Sequence, residues 1–128
     1  YLVEDGRLTA ILDWEFATFG DPLEDLGWML APCWRFGAAK KEAGGIGMCE
    51  DLLAGYESLA GRRVPRDLLR YWQVMATVRW AVIALQQAAR HRSGAERSLE
   101  LALTAHIVPA LEADLLGLIE GCVLEKAA

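Results

Sequence analysis

Residues 8–30, LTAILDWEFATFGDPLEDLGWML, decide how the rest of the chain is read. Ala10, Ile11 and Leu12 form an apolar run that reads as a short buried strand, and it ends on the carboxylate of Asp13, with Trp14 and Glu15 next. A carboxylate at a strand end suits a hard cation, because its backbone is held and its oxygens sit at the open end of the sheet. Further on, Gly20-Asp21-Pro22-Leu23-Glu24-Asp25-Leu26 opens a helix. Asp21 suits the cap, Pro22 the first helical position, and Glu24 the far side of a capping box. Read by themselves, these residues fit a plain strand, loop and capped helix equally well.

On the N-terminal side, Tyr1-Leu2-Val3 and residues 8–12 flank Glu4-Asp5-Gly6-Arg7. An Asp-Gly pair between two apolar runs predicts a hairpin, and two strands alone are marginal, so helices are expected behind it. On the C-terminal side, the first helix should stop before Pro32. Residues 33–47, with Gly37, Gly44, Gly45 and Gly47, read as a mobile loop. A helix follows over 48–59, with Leu52, Leu53, Tyr56 and Leu59 on one face and Gly61 as its stop. Residues 66–91 make the longest helix. Its 74–85 portion is apolar nearly all round, which predicts a central buried helix, and Arg79 within it should snorkel or pair with an acid. Arg90-His91-Arg92 suits the negative end of that helix, and Ser93-Gly94-Ala95-Glu96 offers a second capping box. Leu99, Leu103 and Ile107 share a face of the next helix; Pro109 should break or kink it, and a last helix should end near Gly121. The expected fold is mainly α: an N-terminal hairpin and about five helices in one domain spanning residues 1–128.

The chain has 128 residues, 54% hydrophobic and 24% charged, so it can bury a core and is not disordered. That apolar share suits a piece covered by further protein. The net charge of −5 and the lack of a basic stripe argue against nucleic-acid binding. Cys33, Cys49 and Cys122 are scattered without a C-x-x-C, which points to reduced thiols and a cytoplasmic location rather than a metal site. No signal peptide is evident, and the apolar run 74–85 is too short to cross a membrane.

The combination I-L-D-W-E, then G-D-P-x-x-D-L, resembles the aminoglycoside phosphotransferase/choline kinase-like family of small-molecule kinases. The resemblance is specific over residues 8–30 and loose over the helical remainder. It implies the helical C-lobe of a protein-kinase-like fold, with Asp13 as the Mg²⁺ ligand that bridges to the ATP phosphates. It also implies a small-molecule hydroxyl as acceptor, of aminoglycoside, choline or sugar type. The family's H-G-D-x-x-x-x-N catalytic loop is not in the sequence, which begins at Tyr1 without a Met. The chain is therefore expected to be a C-lobe fragment lacking the N-lobe and the catalytic base, inactive by itself and holding neither Mg²⁺ nor ATP.

Within that resemblance Glu15 stands as a second cofactor contact or an exposed loop acid, and Trp14 packs under the site. Asp21 and Asp25 support it, Asp21 as a cap and Asp25 as a partner of the catalytic-loop backbone. Trp34, Arg35 and Phe36 fall where the family varies its acceptor pocket; a solvated loop with one anchored Trp is the plainer reading. His106 reads as a core histidine, and neither it nor His91 lies in an H-G-D context. Exposed apolar surface on the hairpin (Leu2, Val3, Leu8, Ile11) and around Trp14 and Trp28 predicts a homo-oligomer. The competing reading is a non-catalytic helical interaction module in which Asp13 is vestigial.

Overall fold

The structure is a computed structural model. It describes residues 1–127, and the side chains of all of these except Glu15 and residues 122–127. Strands β1 (Leu2–Glu4) and β2 (Arg7–Ala10) form an antiparallel hairpin with Val3 opposite Leu8 and Glu4 opposite Arg7. Asp5 and Gly6 both take positive φ, 50° and 73°, as the two-residue turn requires. Helices follow: α1 (Leu23–Met29), α2 (Cys49–Ala60), α3 (Arg66–Arg92), α4 (Leu99–Thr104) and α5 (Val108–Ala127). The fold is mainly helical with an N-terminal two-stranded hairpin, as the sequence predicts.

Packing is organised by α3, which contacts α1, α4 and α5. Leu23 and Leu26 of α1, Leu30 at its C-cap, Ala43, Leu53, Val64 and Leu69 make one buried cluster, with Trp72 and Tyr56 against it. The α1–α3 crossing is close because Gly27 has no side chain: a Cβ there would lie 2.5 Å from the Trp72 Cβ and 2.6 Å from its backbone carbon. Thr77 is buried inside α3 and donates to the Gln73 carbonyl at 2.9 Å. Leu111, 2% exposed, anchors α5. Thr104 Oγ donates to the Ala84 carbonyl at 3.0 Å, tying α4 to α3.

Several local expectations are corrected by the tertiary arrangement. The second strand stops at Ala10, so Ile11 and Leu12 continue outside the sheet and are half-exposed rather than buried. Among the described residues no helix covers the hairpin: every residue of β1 and Arg7, Leu8 and Thr9 of β2 are exposed. The glycine-rich segment is folded back on the body instead of hanging free. Ala43 is 4% exposed, the Gly44 N–H donates to the Met29 carbonyl at 3.0 Å, and Gly45, at φ 75°, lies so close to Arg35 that a Cβ would meet its carbonyl oxygen at 2.6 Å.

Further differences lie in the helices. Leu59 is 92% exposed and leaves the predicted face of α2. Helix α3 is central but not buried all round, since Met75, Val78, Val82 and Leu85 are 37–49% exposed. Glu96 pairs with Arg90 instead of closing a capping box, and α4 is capped by Ser98, whose Oγ accepts from the Leu101 N–H at 3.4 Å. The helix is interrupted just before Pro109, as expected, since α4 stops at Thr104. The chain passes through a 3-10 turn, Ala105–Ile107, into α5, where the proline sits in the first turn and needs no donor. That last helix runs on to Ala127 rather than ending near Gly121. His106 is exposed and is not a core histidine, while His91 Nδ1 accepts from the Ser98 N–H at 3.2 Å.

The combined helical segment Leu99–Gly121 is long and apolar enough to cross a membrane by length and composition, with a mean hydropathy of 1.5. Only 6% of that window is buried, and Glu112 and Asp114 interrupt it. The total accessible surface is 9192 Å² for a chain of 14.1 kDa. A compact monomer of that mass exposes about 6,700 Å². A large share of the apolar surface is therefore uncovered, on the hairpin and along α3.

Candidate functional site

Asp13 opens a single 3-10 turn, Trp14–Phe16, and holds φ 58°, ψ 43°, the left-handed region. Few non-glycine residues adopt it, and Asp does so at a cost of about 1 kcal/mol. The Asp13 carbonyl accepts from the Phe16 N–H at 3.3 Å and the Trp14 carbonyl from the Ala17 N–H at 3.0 Å. The carboxylate is exposed. Trp14 is 70% exposed, and its indole N–H donates to the Ile11 carbonyl at 2.9 Å, so it braces the turn from outside instead of packing beneath it. The Glu15 side chain lies outside the described residues.

Asp21 does act as a cap, with a second duty. One carboxylate oxygen accepts from the Leu23 N–H at 2.9 Å and the other from the Trp72 indole N–H at 3.3 Å. One residue thereby satisfies an orphan donor of α1 and fixes α1 against α3. Asp25 is exposed on the first turn of α1. Glu24 does not close a capping box. Its Oε1 accepts from Arg79 Nη1 at 2.6 Å, which settles Arg79 as a paired residue. The same guanidinium lies over the Phe16 ring at 5.6 Å and the Trp28 ring at 5.8 Å. Neither Phe16 nor Trp28 is distinguishable from a core aromatic in sequence; only the odd cation in an apolar helix marks the cluster.

From Trp28 the aromatic array continues to Trp34 at 5.7 Å, and from Trp34 to Trp80 at 5.1 Å and Phe36 at 6.3 Å. Trp34 and Phe36 thus join, through Trp28 and Arg79, the array that reaches Phe16 in the turn that Asp13 opens. Trp34 is anchored, whereas Phe36 is 82% exposed at φ 46°. Beyond Trp34 is a cleft of about 330 Å³ lined by Cys33, Trp34, Phe36, Trp80, Leu111 and Asp114. The cleft is mostly apolar with one carboxylate. Trp80 and Asp114 were not anticipated, because they come from α3 and α5, far from the loop in sequence. Two buried donors, Trp34 Nε1 and Arg35 Nε, have no hydrogen-bond partner among the described residues.

Cys33 and Cys49 are free and half-buried, and the Cys122 side chain lies outside the described residues. Burial pushes the Cys33 thiol up to about 11, with the Asp114 carboxylate adding to the rise. Burial likewise raises Cys49, with Glu42 contributing. Both are therefore poor nucleophiles and poor metal ligands at neutral pH.

The model of the phosphotransferase enzyme family matches residues 1–68. The chain belongs to that family. The match runs from the hairpin through the Asp13 turn, α1 and α2 into the start of α3, and includes the whole I-L-D-W-E and G-D-P-x-x-D-L stretch. Comparison with curated proteins and with solved structures gave no match. Asp13 and its left-handed turn lie within the matched region.

Among the described residues no three His, Cys, Asp or Glu side chains gather into a metal site. Mg²⁺ takes six oxygen ligands, several of them usually water and phosphate. Asp13 offers one exposed carboxylate to such a ligand set.

Proposed function

We propose that this chain forms the C-terminal part of an ATP- and Mg²⁺-dependent kinase of small-molecule hydroxyls, of aminoglycoside, choline or sugar type. The observation that carries the reading is the family motif ending on an exposed Asp13 held in a strained left-handed conformation. Strain of this kind persists where a site needs a side chain aimed in one direction. In this reading Asp13 gives one carboxylate to a Mg²⁺–ATP site whose other ligands are phosphate oxygens and a residue outside this chain. Glu15 is the second candidate contact, and Asp21 and Asp25 support the helix behind it. The wall formed by Trp34, Arg35 and Phe36 faces the acceptor, with the cleft beyond Trp34 giving it depth. The enzyme works in the cytoplasm, without nucleic acid or membrane.

The chain alone is expected to transfer no phosphate, because the groups that cradle the nucleotide and orient the acceptor hydroxyl are not among its residues. The decisive experiment replaces Asp13 by Asn in an enzyme that carries this chain together with a nucleotide-binding lobe. Turnover should fall by about a hundredfold or more while the fold survives. Near-normal turnover would remove Asp13 from the mechanism. Calorimetry of the isolated chain with Mg²⁺–ATP should give no binding heat.

A second reading, association of the chain with itself, is favoured by the exposed apolar residues. Leu2, Val3 and Leu8 of the hairpin are 51–61% exposed, and Leu68, Tyr71, Met75, Val78, Val82 and Leu85 form an apolar stripe down α3. Apolar patches of this extent drive association. Light scattering over a dilution series should show a dimer or larger species; a monomer at every concentration would end this reading.

A further inference from the structure

We propose that Arg79 is a positioning residue that holds the Asp13 turn against the helical body; this rests on the reading of Asp13 as the phosphate-side carboxylate.

The hydrogen bonds of the turn are local. Phe16 N–H and Ala17 N–H reach back to Asp13 and Trp14, and the Trp14 indole reaches Ile11. None of these fixes the turn relative to α1 or α3. A left-handed Asp in such a turn is unfavourable, so something outside must keep it there. From the helical body the Arg79 guanidinium meets the turn, lying over the Phe16 ring at 5.6 Å. It also lies 5.8 Å from the Trp28 ring and donates to Glu24 at 2.6 Å. One side chain from α3 therefore joins three segments: the turn, α1 and α3 itself.

The chemistry requires an arginine. A planar guanidinium presents a face to an aromatic ring while its edge donates to a carboxylate, and both distances lie inside the cation–π range of about 6 Å. Glu24 neutralises the charge and sets the plane of the group. This explains a cation in the most apolar stretch of α3, where an aliphatic residue would pack as well against Trp28 but would not orient Phe16. Phe16 is the third residue after Asp13, so fixing its ring sets the direction of the short turn and with it the Asp13 carboxylate.

The test uses Arg79→Met, which keeps an unbranched apolar stem and removes the charge and the planar fork. Amide hydrogen exchange of the chain is read at two groups of sites. Phe16 and Ala17 N–H report the turn; Gly61 and Leu69 N–H, bonded to the Glu57 and Pro65 carbonyls, report the body. The turn amides should exchange about fivefold faster or more, and the body amides should not change. Unchanged turn amides would overturn the proposal. So would equal acceleration at all four sites, since Arg79 would then serve general stability. Phe16→Leu leaves Arg79 and Glu24 paired, and should loosen the same two turn amides; it decides the matter if the Arg79 variant fails to fold. In an enzyme carrying this chain with a nucleotide-binding lobe, Arg79→Met should lower kcat about tenfold with acceptor KM within about twofold, the pattern of a misaimed group. A raised KM with unchanged kcat would overturn the positioning role. Asp13→Asn run alongside separates the two ideas: if it leaves turnover intact, the reading of Asp13 fails, and the exchange data still decide whether Arg79 holds the turn.

Discussion

The α1–α3 junction and the N-terminal segment before Gly20 are built in opposite ways. At the junction, Leu23, Leu26 and Leu30 are buried, Gly27 lets two backbones meet, and Asp21 spans the gap to the Trp72 indole. In the N-terminal segment nearly every side chain is exposed, and the hydrogen bonds run within the hairpin or within the Asp13 turn. The first region is held by packing, and the second by local turns and one guanidinium. The proposed site lies in the loosely held region, where the side chains are open. Surface left open for a partner cannot also be buried against α3.

This contrast can be broken by substitution, and the largest effect should come from the junction. Leu30→Ala removes a side chain with 0% exposure from the centre of the cluster and should cost about 2–5 kcal/mol in chemical denaturation. A loss under about 1 kcal/mol would mean the junction is not the main core. Gly27→Ala forces a methyl into the Trp72 contact at 2.5 Å and should destabilise by about 1–3 kcal/mol, seen as a lower Tm. An unchanged Tm would show that the helices slide apart freely.

Asp21→Ala should cost about 1 kcal/mol as a lost cap, and it also frees the Trp72 indole. Tryptophan fluorescence should shift together with the denaturation midpoint; a shift in neither would leave Asp21 without a structural part. The smallest effect belongs to the hairpin. Val3→Ala, at a residue 54% exposed, should stay within about 0.5 kcal/mol in the monomeric chain. A cost above about 1 kcal/mol would mean the hairpin is covered in solution, and a concentration dependence of that cost would identify another copy as the cover.

Much of the fold was legible because its signals act over a few residues. Asp5-Gly6 encodes a hairpin turn through positive φ. Gly61 caps α2 with φ 65° and its N–H on the Glu57 carbonyl, and Pro65 precedes α3. The placement of Asp13 after an apolar run was legible for the same reason, and so was the family motif that carries the candidate site. Where the local signals misled, distant groups had won. Glu24 is one turn into a helix and fits a capping box, yet an arginine 55 residues away takes its carboxylate at 2.6 Å. Glu96 is taken by Arg90, by contrast a near neighbour in the chain.

What the sequence determined alone is the list and type of elements, the special backbone positions and the motif around Asp13. These depend on backbone sterics, capping and periodicity, which neighbours in the chain settle among themselves. What only the tertiary structure decided is which apolar faces are covered. Residues 74–85 are apolar nearly all round, but burial depends on what packs there, and here α1, α4 and α5 leave a stripe from Leu68 to Leu85 open. The meeting of Phe16, Glu24, Trp28 and Arg79, and of Trp34 with Trp80 and Asp114, was decided the same way. Each depends on the angle and depth at which helices cross, set by a glycine at Gly27 and a buried Leu111, and no short stretch of sequence carries that information.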